Sequence, residues 1–80
     1  MSRMPAIKTF SNCQLSIYPR EHGIPHFHLE FTDGDRCSVA IETEVVLAGE
    51  VRPARRMAEA LAWARDNREL LLQKWKEITR

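Results

Sequence analysis

The sequence predicts an α+β domain of two layers: an antiparallel sheet of three to five strands in residues 1–50, and two C-terminal helices in residues 51–80 packed on one face of it. Three observations lead there. Apolar and polar residues alternate strictly in three separate segments of the first half, which is the two-residue period of a half-buried strand. An Asp-Gly pair joins two of those segments, and Asp-Gly is a strong hairpin signal. Beyond Gly49 the apolar spacing changes to three and four, the period of a helix with one buried stripe.

The strands come first. In "CQLSIY" (residues 13–18) Cys13, Leu15 and Ile17 point one way and Gln14, Ser16 and Tyr18 the other. In "HFHLEF" (26–31) Phe27, Leu29 and Phe31 oppose His26, His28 and Glu30. In "CSVAIE" (37–42) Cys37, Val39 and Ile41 oppose Ser38, Ala40 and Glu42. Such segments make a sheet with one buried face and one wet face. "PREHGIP" (19–25) is a longer turn bracketed by prolines, and "TDGD" (32–35) a tight one. "PAIKTF" (5–10) and "EVVL" (44–47) are candidate edge strands that raise the count to five.

The helices follow. Pro53 suits a first helical turn, where its missing N–H costs nothing. Met57, Leu61 and Ala64 then recur on one face, widened by Ala60 and Trp63. Asp66 with Glu69 resembles a capping box, which would start a second helix near residue 67 with the stripe Leu71, Leu72, Trp75 and Ile78. One continuous kinked helix is the alternative. Trp63 and Trp75 read as core anchors.

Eighty residues, 44% apolar and 29% charged, are those of one ordinary globular domain. No apolar run approaches the roughly 20 residues of a membrane span, and the first residues lack the pattern of a signal peptide. A cytoplasmic location is the expectation. Cys13 and Cys37 have no C-x-x-C spacing and read as reduced, buried thiols, although strands that bear them could be neighbours and allow a disulfide.

Charge is uneven. Residues 1–51 hold four basic groups and seven acids, a net of −3, whereas residues 52–80 hold eight and four, a net of +4; together they make the +1 of the whole chain. An acidic front and a basic tail can pair within one fold, or the tail can meet an anionic partner such as nucleic acid.

The three histidines, His22, His26 and His28, all fall in "EHGIPHFHLEF" (21–31), beside Glu21 and Glu30. If helices cover the apolar face, His26, His28 and Glu30 stand in a row on the other, with Tyr18 beside them. Positions i and i+2 of a strand lie about 6.6 Å apart, close enough for two imidazoles to lean toward one ion. No cofactor is expected; the alternative is a divalent metal such as zinc on His26 and His28, to which His22 or Glu30 could supply a third ligand. The same imidazoles could instead bind an anion or exchange protons in catalysis, with His26, His28 and Glu30 as candidate catalytic groups. They are also ordinary residues of a half-exposed strand. Arg55 and Arg56 at a helix start are candidates for an acidic contact. No nucleophile elbow or phosphate-cradling glycine loop is present, the glycines standing alone at 23, 34 and 49.

Taken together, "MPAIKTF", "EHGIPHFHLEF" and "DNRELLLQKW" resemble a family of small bacterial proteins known as domain-of-unknown-function family 4160. Its members open on a Met-Pro strand, carry a P-P-H-F-H motif after a short turn and end in an E-L-L-x-x-W helix. Ile24 stands here where the family has the first proline. The resemblance implies no catalytic residues. It does imply a toxin–antitoxin-like setting with another small protein as partner. The leading functional expectation is therefore an interaction domain whose contact surface comprises Tyr18, His22, His26, His28, Glu30, Arg55 and Arg56. The alternative is a small metal-dependent or His-based hydrolase or nuclease using His26 and His28. An exposed sheet edge also suits homodimerisation.

Overall fold

The structure, a computed structural model, describes residues 6–79, so the Met4-Pro5 pair of the first predicted strand lies outside the described residues. Five strands form one sheet: β1 (Ala6–Thr9), β2 (Cys13–Ser16), β3 (His26–Phe31), β4 (Arg36–Ala40) and β5 (Val46–Gly49). They lie in chain order, and every neighbouring pair is antiparallel. A 3-10 turn over Ala54–Met57 leads into α1 (Ala58–Asp66) and then α2 (Arg68–Thr79). The architecture is the expected α+β, with the sheet at the upper end of its predicted strand count. No helix among the described residues is long and apolar enough to cross a membrane.

The alternation of β3 is realised residue by residue: Phe27, Leu29 and Phe31 are buried, and His26, His28 and Glu30 are half-buried. The odd-numbered residues of β2 and β4 join the buried set. With Met57, Ala60 and Ala64 of the helical segment and Leu71 and Trp75 of α2 they form a single core. Phe27, Leu15, Leu29 and Leu71 are essentially without exposed surface, and burying each side chain contributes about 1.5–3 kcal/mol. Trp63 is half-buried and packs edgewise on Phe10 with ring centroids 5.9 Å apart.

The tight turn between β3 and β4 closes with Gly34 N–H donating to the Phe31 carbonyl at 3.0 Å, and Gly34 takes a φ of 100°. Asp35 N–H donates to the Asp33 carboxylate at 3.1 Å. That places both aspartates where Arg56 reaches them, at 2.7 and 2.8 Å, with its guanidinium 4.9 Å from the Phe31 ring centroid. Where α1 gives way to α2, Arg65 and Arg68 both bind Glu44, each at 2.9 Å. The acidic front and the basic tail thus pair within one chain.

The helices break at Asn67. Its backbone N–H donates to Trp63 and Ala64 carbonyls, its side chain donates to Trp63 O at 2.8 Å, and its own carbonyl accepts from Leu71 N–H. Two helices form, not one kinked helix.

Three expectations need correction. The fifth strand runs over Val46–Gly49 rather than 44–47. Glu44 adopts a left-handed φ of 65° inside a turn in which its N–H donates to Ala40 O, so the chain only becomes extended past it. The two cysteines are not on neighbouring strands, since β3 lies between β2 and β4. Both are free and buried, with Cys37 Sγ 3.7 Å from Met57 Sδ. Finally, the polar face is only partly wet: Ser16, Ala40 and Ser38 on that face are buried, and the Tyr18 ring packs on His28 at its centre.

Candidate functional site

His28 sits at the middle of the polar face. In register it pairs with Ser16 of β2 on one side and Ser38 of β4 on the other. Both serines are small, so the imidazole has room between them, and Tyr18 closes over it with ring centroids 5.0 Å apart at 67°. The Tyr18 hydroxyl donates to Glu30. Burial, and then that bond to a carboxylate, push the Tyr18 hydroxyl above its ordinary pKa.

The turn before β3 folds back over the strand. Arg20 and Gly23 both take left-handed backbone, with φ of 68° and 93°. A non-glycine residue there costs on the order of 1–2 kcal/mol, and the reversal it permits carries Glu21 to the imidazoles. Glu21 Oε1 lies 2.8 Å from His26 Nε2 and 3.8 Å from His28 Nε2. The ligand-type atoms of Glu21, His26 and His28 all lie within 4.8 Å of one another. The other nitrogen of His26, Nδ1, donates to the Ile24 carbonyl at 2.7 Å. The two imidazole rings are 5.2 Å apart, and Trp75 of α2 stands 4.9 Å from His26 on the remaining side.

The nitrogens are therefore less accessible than the strand pattern predicts. His26 has both nitrogens facing oxygen acceptors. His28 Nε2 is buried and has no hydrogen-bond partner among the described residues. Burial holds the His28 imidazole below its ordinary pKa, and the charge of Glu21 opposes that shift without cancelling it. In its neutral form the His28 ring carries a lone pair on one nitrogen.

Beside this cluster a cleft of about 380 Å³ opens between Tyr18, His28, Glu30, Arg36, Ser38 and the edge strand β5, which contributes Ala48 and Gly49. Glu30 and Arg36 face each other across β3 and β4, so the cleft offers both signs of charge. β5 is exposed along its whole length, including Val46 and Leu47.

The remaining predicted residues fall elsewhere. His22 is exposed in the turn, outside the triad. Glu30 is taken by Tyr18. Arg55 is exposed at the 3-10 turn, and Arg56 is committed to Asp33 and Asp35. Glu21 takes the place predicted for His22 or Glu30 as the third member of the cluster. No residue preference signals it, because Glu21 is carried there by left-handed backbone at Arg20, a non-glycine position.

A five-stranded meander followed by two helices, with an H-x-H strand whose imidazoles meet a glutamate of the preceding turn, defines a small α+β domain of a particular kind. The chain belongs to the family described as Domain of unknown function (DUF4160), whose model matches residues 14–76. That span runs from β2 into α2 and includes the whole cluster. Neither curated proteins nor solved structures give a significant match.

Proposed function

We propose that this chain is a protein-binding domain of a toxin–antitoxin-like pair, and that it receives an extended segment of a small partner protein along the polar face of its sheet. The observation that supports this most is the position of β5: an exposed edge strand that also forms one wall of the cleft holding His28. A strand added to such an edge gains main-chain hydrogen bonds, and alternate side chains of the incoming strand would fall over the cleft, where specificity is set. Val46 and Leu47, 40% and 43% exposed, offer apolar surface to it, and Glu30, Arg36 and the Tyr18 hydroxyl offer polar contacts.

The test is capture of a partner from the native host, its identification, and reconstitution of the complex from purified components. The His26→Ala/His28→Ala double variant and the Leu47→Lys variant should each weaken the reconstituted complex at least tenfold. Equal affinity of both variants and the wild type overturns the reading. A homodimer that forms through β5 and excludes the partner overturns it as well.

A second reading, a small hydrolase or nuclease using His26 and His28, draws on the convergence of Glu21 with both imidazoles. Hydrolysis of RNA or of a simple ester by wild type, lost in His28→Gln, is its test.

A further inference from the structure

Two imidazoles and one carboxylate converge at the mouth of the turn that precedes β3, and ordinary hydrogen bonding leaves the group incomplete. His26 Nδ1 carries the hydrogen that it donates to Ile24 O at 2.7 Å, so its Nε2 carries a lone pair in the neutral ring. That lone pair points at Glu21 Oε1 only 2.8 Å away. Two lone pairs at that distance repel unless a proton or a cation lies between them. A second proton on His26 would satisfy this one contact. It would leave His28 Nε2, 3.8 Å from the same carboxylate oxygen, buried without any partner. A buried nitrogen with nothing bonded to it is costly, because it has lost its water and gained no partner. A cation placed among the three atoms satisfies all of them at once.

We propose that Glu21 Oε1, His26 Nε2 and His28 Nε2 are the three protein ligands of a first-row divalent transition metal of the zinc class.

The spacing suits that ion. Ligands held tetrahedrally at the roughly 2.0–2.2 Å bonds of zinc lie about 3.4 Å from one another. The observed separations of 2.8 and 3.8 Å from the carboxylate bracket that value, and the whole set falls within 4.8 Å. The donor set also discriminates. Calcium and magnesium take oxygen ligands, whereas imidazole nitrogens select zinc and its neighbours in the first transition row. The bond from His26 Nδ1–H to a backbone carbonyl is the second-layer contact that fixes a metal-bound imidazole in its tautomer and orientation. Three protein ligands leave a coordination position for water or another ligand. The site joins the turn to the sheet, so the ion would fasten Glu21 onto β3. This inference deepens the second reading above, but it requires no turnover, and metal binding is measured apart from hydrolysis.

The probe is cobalt(II) alone, then zinc(II) as competitor, added to the full chain in a Trp63→Phe background that leaves Trp75 as the sole indole. Cobalt(II) is expected to bind at one equivalent, to develop the visible absorption of a low-coordinate nitrogen–oxygen site, and to quench Trp75, whose ring lies 4.9 Å from that of His26. Zinc should reverse both signals. Glu21→Gln and His28→Gln should each weaken cobalt binding at least tenfold, the lower end of what loss of a supporting contact costs a metal site. His22→Gln should leave it unchanged. The inference is overturned if cobalt yields neither absorption nor quenching, if Glu21→Gln and His28→Gln bind as well as the parent, or if His22→Gln abolishes binding. Should either ligand variant fail to fold by circular dichroism, imidazole nitrogen NMR of the parent decides. Zinc must shift Nε2 of both His26 and His28 while His26 Nδ1 keeps its hydrogen, and unmoved Nε2 resonances overturn the site.

Discussion

The indole of Trp75 lies 4.9 Å from the imidazole of His26, tilted by 53°, and so ties α2 to the first residue of β3. Trp75 belongs at once to the apolar core and to the border of the polar cluster. Trp75→Ala should therefore cost about 3–5 kcal/mol, as large aromatic deletions from a core do. Urea unfolding measures it. A loss below about 1 kcal/mol would mean that the indole is not packed as described.

Gly49 of β5 pairs with Cys37 of β4 at close quarters. Its φ is 82°, and a Cβ there would stand 2.4 Å from the Arg36 carbonyl oxygen and 2.8 Å from Cys37 Cα. Both obstacles are backbone and cannot swing aside. Gly49→Ala should destabilise by more than the roughly 1–3 kcal/mol of a left-handed non-glycine residue alone. Gly34→Ala, with a φ of 100° and nothing within 4 Å of a new Cβ, should show the smaller backbone effect. Thermal melts of the two variants side by side check the order, and equal losses would refute the close approach.

Arg56 binds Asp33 and Asp35 through separate nitrogens and also donates to the Arg52 carbonyl. Arg56→Lys keeps the charge but not the fork. It should lower the melting temperature slightly at low salt, and the difference from wild type should shrink as salt is added, since the aspartates are exposed. A difference that grows with salt would point to lost packing against Phe31 instead.

Burial pushes the Cys13 thiol from 9.0 up to about 11, with the charge of Glu59 adding to it. The folded pKa is raised, so in the unfolded chain the thiol loses its proton first. Its contribution to stability is intact below about pH 9 and declines as pH rises from there toward 11. Cys13→Ala should flatten the alkaline limb of a stability-against-pH curve, and Cys13 should resist alkylating reagents until the protein is unfolded. An unchanged alkaline limb in the variant would contradict this.

The parts of the fold that could be read from sequence are those fixed by local periodicity. β3 falls on His26–Phe31 because a six-residue alternation leaves only one assignment of faces. The helix break near residue 67 was one of two readings, suggested by the spacing of Asp66 and Glu69, although the residue that makes it, Asn67, bonding Trp63 O with its side chain, was not legible. β5 was misplaced by two residues because nothing local in "ETEVVLAG" reveals that Glu44 is held by two arginines more than twenty positions away. The candidate site divides the same way. His26 and His28 follow from the strand, but Glu21 joins them only through a left-handed reversal at Arg20 that no residue preference announces. Closure of Tyr18 over His28 is likewise a product of tertiary packing.

Each of the five strands bonds only to those next to it in the chain, so every hairpin closes a short segment and little entropy is lost before each pairing is rewarded. During synthesis on the ribosome the sheet can zip up from its first hairpin while α1 and α2 are still unmade. Until those helices emerge, Leu15, Phe27 and Leu29 have no cover, and the nascent meander is at its most vulnerable to sticking to other chains.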